Sequence, residues 1–199
     1  MNKKIKVGLN GLGRIGRHIF KMCIDDPLIE LVGINEINPD LENWAYTLNY
    51  DSIYGQSKHK SEVMDKKIIC NEQSIFTSMR SDISAVNWDE WGADYIIDSS
   101  GVLENTLKSR RMLNNKFKKR ILFTNSPDKV DFTMVLGVNE HEFDPKSHHL
   151  IASSICDATA IAPVSKIIDE NYKIKLGYVT TLHPWLSYQN LMDGPSSSW

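Results

Sequence analysis

The chain of 199 residues lacks several features that would place it in a specialised class of protein. No apolar run approaches the roughly 20 residues that a membrane helix needs, and no signal-peptide-like apolar stretch follows the basic start. Charge of one sign is not in excess, because the formal net charge is −2, so neither a nucleic-acid surface nor an acidic tail is indicated. We therefore expect a cytoplasmic protein with no membrane and no nucleic-acid partner.

Cysteine is scarce as well. The three cysteines, Cys23, Cys70 and Cys156, are odd in number and widely spaced, which argues against a disulfide framework and for a reducing compartment. No CxxC pair and no close His/Cys cluster predicts a zinc site, so we expect no bound metal. With 41% hydrophobic residues, the chain has enough apolar side chains for one full domain and part of another.

The pattern that is present is an alternation of strands and helices. Apolar strands are predicted at 5–9, 29–36, 93–100, 119–125 and 132–139, and helices at 14–26 and 102–115. This order predicts an α/β fold with a Rossmann-type doubly wound sheet, a dinucleotide-binding domain over residues 1–152. Residues 53–91 are less regular and favour an antiparallel excursion, and residues 153–199 read as the beginning of an incomplete α+β catalytic domain with a helix and a strand-like KLGYVTTLHPWL.

The first chemical motif is GxGxxG, formed by Gly11, Gly13 and Gly16 between a predicted strand and a predicted helix. We expect Gly11 to permit the turn, Gly13 to let the backbone approach a pyrophosphate, and Gly16 to allow close helix–strand packing. Glu36 ends the second strand, where it can accept hydrogen bonds from a ribose and repel a 2′-phosphate, which favours NAD over NADP. A glycine-rich turn without a ligand is the alternative.

The second constellation is Cys156 with His183. A lone cysteine is more often a buried hydrophobe, and a lone histidine near aromatic residues is more often structural. Together, a thiol at a helix start and an imidazole at the end of the next predicted strand can meet in space. A helix N-terminus and a nearby imidazole both lower a thiol pKa, so the pair predicts a nucleophile.

These residues carry a resemblance to the glyceraldehyde-3-phosphate dehydrogenase family. The similar segments are, in order, KVGLNGLGRIGR, NYDSIYGQ, IIDSSGV, SSICDATAIAP, TTLHPWLSYQ and DGPSSSW, and the cysteine and histidine are 27 residues apart, as in that family. The resemblance implies an NAD-dependent oxidation of an aldehyde with Cys156 as nucleophile and His183 as general base. It also implies a set of cofactor-binding residues: Asn10, Gly11, Gly13, Arg14, Ile15, Gly16, Glu36, Arg80, Ser100, Gly101 and Asn125.

The chain departs from the family pattern around the cysteine. The family motif S-C-T-T-N has hydroxyl donors for phosphate where this chain has Ile155 and Asp157, and Thr159 replaces its asparagine. A threonine that would contact substrate phosphate is replaced by Leu186. We assign Asp157 and Thr159 to the substrate site, and we expect altered or lost phosphate binding. A structural explanation of Asp157 is the alternative, because an aspartate in the first turn of a helix stabilises the helix.

Three functions remain open at the level of the sequence. The first is an NAD-dependent aldehyde oxidoreductase, either as a fragment or as a natural short form, with an aldehyde as its small-molecule substrate. The second is a non-catalytic NAD-binding protein, and the third is an interaction protein with an empty GxGxxG turn. The resemblance implies a homo-oligomer for the complete family member and leaves the oligomeric state of this chain open.

Overall fold

The structure is a computed structural model that describes residues 3–52, 54–115 and 120–182. Its strands are β1 Ile5–Asn10, β2 Ile29–Asn35, β3 Tyr50–Asp51, β4 Gly55–Gln56, β5 Ser61–Met64, β6 Lys67–Cys70, β7 Gln73–Ser78, β8 Tyr95–Asp98, β9 Arg120–Phe123, β10 Phe132–Thr133 and β11 Leu150–Ala152. Its helices are α1 Arg14–Asp25, α2 Leu41–Asn49, α3 Asn105–Asn115 and α4 Cys156–Tyr172.

Nine of these strands form one sheet in the order β10-β11-β9-β8-β1-β2-β7-β6-β5. All neighbours from β10 to β7 are parallel, while β5, β6 and β7 pair antiparallel. The chain first moves outward from β1 through β2 and then returns to β8 on the other side of β1, which places a topological switch point at the carboxyl end of β1. The predicted Rossmann-type sheet and the antiparallel excursion are both confirmed.

The two faces of the sheet bury separate apolar clusters. On one face, α1 and α2 cover the strands with side chains that include Phe20, Trp44 and Leu48. On the other face, Ile96, Ile121 and the residues between β7 and β8 form the second cluster. A parallel sheet needs cover on both faces, and this one receives it.

A row of aromatic rings covers the centre of the second face in place of a helix. Gly8 and Gly33 are partners across β1 and β2, and Gly33 is in turn the partner of Phe76 on β7. The Trp88 ring lies on Gly8, where a Cβ would be only 2.6 Å from it, and the Trp91 ring occupies the space where a Cβ of Gly33 would be. Trp91 meets Trp88 edge-on and stacks on Phe76. The two glycines therefore make room for the two tryptophans.

Asparagine carboxamides pair with the outermost strands of the sheet. Asn49 accepts from the backbone N–H of Ser61 on β5 at 2.7 Å and donates to the carbonyl of the same residue at 2.9 Å. Asn139 accepts from the N–H of Val135 at 2.8 Å and donates to the carbonyl of Thr133 on β10 at 3.0 Å. Each carboxamide thus makes the two hydrogen bonds that a peptide group of a further strand would make.

Some predicted elements differ from the structure. The strand expected over 132–139 ends at Thr133, because Asn139 folds back to take the next backbone groups. The strand expected from Lys175 is not a strand in its described part, 175–182, since no described neighbour takes its hydrogen bonds. Helix α2 was not predicted, although Asp40 caps it by accepting from the N–H of Asn43.

Helix α4 packs loosely on the rest of the described chain. None of its residues is buried, and Ile161, Val164 and Ile167 expose apolar side chains. The helix passes through Pro163 without ending. The predicted boundary at 152/153 falls between β11 and this helix. Among the described helices, none has the length and apolar character that a membrane crossing needs.

Candidate cofactor and catalytic site

The three glycines of the turn between β1 and α1 have different steric surroundings. Gly11 has φ +93°, which side chains rarely adopt, and a Cβ there would lie 2.7 Å from the backbone of Ser100. A Cβ on Gly16 would overlap the carbonyl oxygen of Gly11, so α1 can approach β1 this closely only with glycine at that position. The Cβ position of Gly13 has no heavy atom within 4 Å, so its backbone is open to a ligand.

The N-terminus of α1 is available to an anion. Gly13 is the N-cap residue, no described side chain caps the helix, and its first turn contains no acidic residue. No carboxylate of the helix itself therefore competes for its first N–H groups or for the positive end of its dipole. Arg14 and Ile15 are exposed at the rim, and the Ile15 side chain is 58% accessible.

Glu36 connects the end of β2 to the glycine turn. Its carboxylate accepts from the backbone N–H of Leu12 at 2.6 Å and from that of Asn38 at 3.2 Å. These two bonds hold an anionic acceptor at the edge of a cleft that is also lined by Gly13, Arg80 and Ser100. A carboxylate fixed in this way can accept further hydrogen bonds from hydroxyl groups.

The floor of the cleft is a buried polar network. Asn10 donates to Asp98 at 3.0 Å and accepts from Asn35 at 2.7 Å. Asn35 also accepts from the backbone N–H of Arg80 at 2.8 Å and donates to its carbonyl at 2.8 Å. Asp98 accepts from the N–H and hydroxyl of Ser100. Asn35 and Asp98 were not predicted as site residues, although each is a polar residue at the end of an otherwise apolar strand.

The structure brings most of the predicted cofactor residues to one edge of the sheet. The cleft is lined by Asn10, Gly11, Gly13, Glu36, Arg80 and Ser100 among the predicted residues. Gly101, with φ +74°, follows Ser100, and the half-buried Asn125 follows β9 at the same edge. Neither of these two, nor Arg14, Ile15 or Gly16, lines the cleft.

A larger cleft of about 490 Å³ lies beside the first and shares Arg80 with it. Leu41, Lys66 and Trp91 are among its other lining residues. It includes the N-terminus of α2 at Leu41, but that helix is capped by the side chain of Asp40 and has Glu42 in its first turn, and no glycine lines the cleft. Of the two clefts, the smaller one has the glycine turn and lies at the uncapped N-terminus of α1, the arrangement that suits an anion.

Cys156 is the first residue of α4 and is exposed. Its thiol donates to the carboxylate of Asp157 at 3.8 Å, so the two side chains predicted to act on the substrate are in contact. Ser154, two residues before the cysteine, is buried and has φ +68°. Backbone strain of this kind is common at functional sites.

The other two thiols lie in the apolar core and have a different character. Burial, with a smaller contribution from the carboxylate of Asp26, raises the pKa of the Cys23 thiol to about 11. Burial also raises the pKa of Cys70. Both thiols are therefore poor sources of thiolate at neutral pH. Within the described ranges, His, Cys, Asp and Glu side chains form no group of three that could hold a metal ion.

Only some of the remaining predicted residues lie in the described part of the chain. Thr159 is exposed on the first turn of α4, and its N–H donates to the carbonyl of Ile155 at 2.9 Å. Lys166 connects the helix to the segment after β10 by donating to the carbonyl of Val138 at 2.7 Å. The predicted base His183 lies outside the described residues, as does Leu186.

Comparison with known proteins agrees with this arrangement. The family model "Glyceraldehyde 3-phosphate dehydrogenase, NAD binding domain" matches residues 5–106, and "Glyceraldehyde 3-phosphate dehydrogenase, C-terminal domain" matches residues 155–199. Similar curated proteins include a glyceraldehyde-3-phosphate dehydrogenase of Geobacillus stearothermophilus, 32% identical over 191 residues, and one of Claviceps purpurea, 37% identical over 192.

Each of these two alignments covers 96% of this chain and 56% of the relative, so the chain spans about half the length of the curated relatives it matches. The first family model alone covers half of the chain and includes the glycine turn, Glu36 and Ser100. The second begins one residue before Cys156. The chain therefore belongs to the glyceraldehyde-3-phosphate dehydrogenase family.

Proposed function

We propose that this chain binds NAD at the carboxyl edge of its sheet and forms part of an NAD-dependent aldehyde oxidoreductase. The observation that carries the proposal is the turn from Gly11 to Gly16, which leaves backbone N–H groups open to an anion beside the fixed carboxylate of Glu36. The match to an NAD-binding family model supports the same assignment.

The residues of the cleft fit a dinucleotide in a definite way. The open backbone at Gly13 and the first turn of α1 would hold the pyrophosphate, and Glu36 would accept from the adenosine ribose hydroxyls. Arg80, Ser100, Gly101 and Asn125 would complete the wall. NAD, when bound, would supply a hydride acceptor, and the residues of this cleft would bind and orient it.

The cofactor preference gives a first prediction. We expect NAD to bind at least about tenfold tighter than NADP, because a hydrogen bond to a charged group is worth about 1.5–3 kcal/mol and a 2′-phosphate would be repelled. Glu36→Ala should narrow this difference. Calorimetry with both nucleotides measures it, and Glu42→Ala, at an acidic position on α2 away from the cleft, is the matched control. Equal affinities in the unsubstituted protein would rule out the assignment of Glu36.

Cys156 would perform the covalent chemistry. Its sulfur adds to the aldehyde carbon, and His183 takes the proton of the resulting hydroxyl as hydride leaves that carbon, so that a thioester remains on the cysteine. Water or phosphate then attacks the thioester carbonyl, the C–S bond breaks, and the thiol is regenerated with release of the acid or acyl phosphate. An exposed thiol at the start of a helix is accessible for this role.

Thiol reactivity gives a second prediction. Cys156 should be alkylated by iodoacetamide at pH 7 at least about tenfold faster than Cys23 or Cys70, because both of these are buried and have raised pKa values. His183→Ala should slow the labelling of Cys156. Peptide mass spectrometry after short labelling times distinguishes the three sites, and the two buried cysteines serve as internal controls.

A non-catalytic NAD-binding protein is the second candidate, and the contact between Cys156 and Asp157 favours it, since a carboxylate beside the sulfur would repel an anionic substrate. Labelling of all three cysteines only after denaturation, together with normal NAD binding, would select this candidate. The same contact is compatible with catalysis if Asp157 acts on water or on a substrate hydroxyl.

A further inference from the structure

A continuous chain of hydrogen bonds crosses the carboxyl ends of four adjacent strands beneath the proposed cofactor cleft. It starts at Asp98 on β8, passes through Asn10 on β1 and Asn35 on β2, and reaches the backbone of Arg80 just after β7. Asp98, Asn10 and Asn35 are 2%, 4% and 3% exposed, so each hydrogen bond between these buried side chains is costly to lose.

The groups at the two ends of this series of hydrogen bonds fix the direction in which each bond is donated. A carboxylate can only accept, so the amide nitrogen of Asn10 faces Asp98, and the amide oxygen of Asn10 therefore faces Asn35. The backbone N–H of Arg80 can only donate, so it requires the oxygen of Asn35. Both carboxamides have one permitted orientation because a pure acceptor stands at one end and a pure donor at the other.

Asp98 also organises the opposite end of the cleft. It accepts from the N–H of Ser100 at 3.0 Å and from its hydroxyl at 2.6 Å, and its second oxygen accepts from Asn105, the first residue of α3, at 2.9 Å. One buried carboxylate thus holds the loop after β8 and, through two amides, the backbone after β7. Those two segments are the opposite walls of the cleft.

We propose that Asp98 is a positioning residue for the cofactor, which sets both walls of the cleft without touching the ligand. The inference rests on the proposed binding of NAD. Truncating Asp98 to alanine removes the oxygen that accepts from both Asn10 and Ser100, so the two carboxamides can rotate and Arg80 and Ser100 are released from their fixed positions. The expected result is weaker NAD binding from a residue that the ligand does not reach.

The test compares Asp98→Ala with Asp131→Ala. Asp131 is a matched control, because it too accepts from backbone N–H groups, of His149 and Leu150, but it does not line the cleft. We expect Asp98→Ala to raise the NAD dissociation constant by about tenfold or more and Asp131→Ala to change it less than about twofold. Asn35→Ala, which breaks the series of hydrogen bonds at its middle, should weaken NAD binding similarly, and it replaces Asp98→Ala as the test if that variant does not fold.

A second readout does not depend on NAD. In the unliganded protein, the NMR amide resonance of Arg80 should shift in Asp98→Ala and stay in place in Asp131→Ala. The losses of NAD affinity should also be non-additive in the double variant Asp98→Ala/Asn35→Ala, because both changes break the same series of hydrogen bonds. An unchanged Arg80 resonance, or additive losses of affinity, would overturn the proposal. If the unsubstituted protein does not bind NAD, the proposed function fails, while the Arg80 resonance still decides whether Asp98 positions that wall.

Discussion

Replacing Gly16 by alanine is expected to destabilise the protein by about 3 kcal/mol or more, because the new Cβ would overlap the carbonyl oxygen of Gly11. The atom in the way belongs to the backbone of a turn that itself needs φ +93°, so it cannot move aside as a side-chain end would. Helix α1 would have to withdraw from β1, and the apolar contacts of Phe20 would be loosened with it. Chemical denaturation followed by circular dichroism measures the loss.

Gly13→Ala is the matched variant, only three positions away. Nothing lies within 4 Å of its Cβ position and its φ is −65°, so we expect a change in stability of less than about 0.5 kcal/mol. The new methyl group would instead stand where the proposed pyrophosphate approaches, and NAD affinity should fall by about tenfold or more. Equal denaturation midpoints for the two variants would contradict the assigned helix–strand approach.

The second large effect concerns the substrate of the proposed enzyme. We expect it to oxidise glyceraldehyde 3-phosphate with inorganic phosphate at least about a hundredfold less efficiently than an unphosphorylated aldehyde. The carboxylate of Asp157 touches the Cys156 thiol, and a phosphate about 5 Å from it would be repelled by about 3 kcal/mol at an effective dielectric constant of about 20. Ile155 offers no hydroxyl donor in compensation.

The experiment follows NADH formation with and without phosphate across phosphorylated and unphosphorylated aldehydes. Asp157→Asn removes the charge and keeps the shape, so it should recover part of any phosphate-dependent rate, and Asp157→Thr, which restores a hydroxyl donor, should recover more. Glu170→Gln, on the same helix but far from the cysteine, should change neither rate. Strong phosphate-dependent turnover by the unsubstituted protein would show that phosphate is tolerated beside Asp157.

The parts of the fold that could be predicted from sequence are those with local signals. The glycine turn, the apolar strand β1 and the amphipathic helix α1 follow from spacing alone, and the structure has them within one residue of the expected bounds. Cys23 lies on the apolar face that the helical spacing of α1 creates, and it is 3% exposed. Each of these depends on residues close together in the sequence.

The parts that could not be predicted depend on distant partners. The row of aromatic rings on the second face of the sheet requires Gly8 and Gly33 to lie opposite each other in β1 and β2. The local sequence of neither strand reveals this pairing. Asp98 and Asn10 are 88 residues apart, so their contact appears only when β8 returns beside β1. The strand expected over 132–139 is cut short because the side chain of Asn139 hydrogen-bonds to backbone groups that a longer strand would use. Strand propensity does not take such side-chain bonds into account.

The two asparagines at the margins of the sheet bear on how the molecule behaves in concentrated solution. An unoccupied strand margin is a template on which an extended segment of another molecule can add, and such additions lead to fibrillar aggregates. Here Asn49 already uses both outward-facing backbone groups of Ser61, and Asn139 uses the carbonyl of Thr133 and the N–H of Val135. An incoming segment would have to displace a carboxamide to pair with these backbone groups, so the addition of a further strand is opposed at both margins.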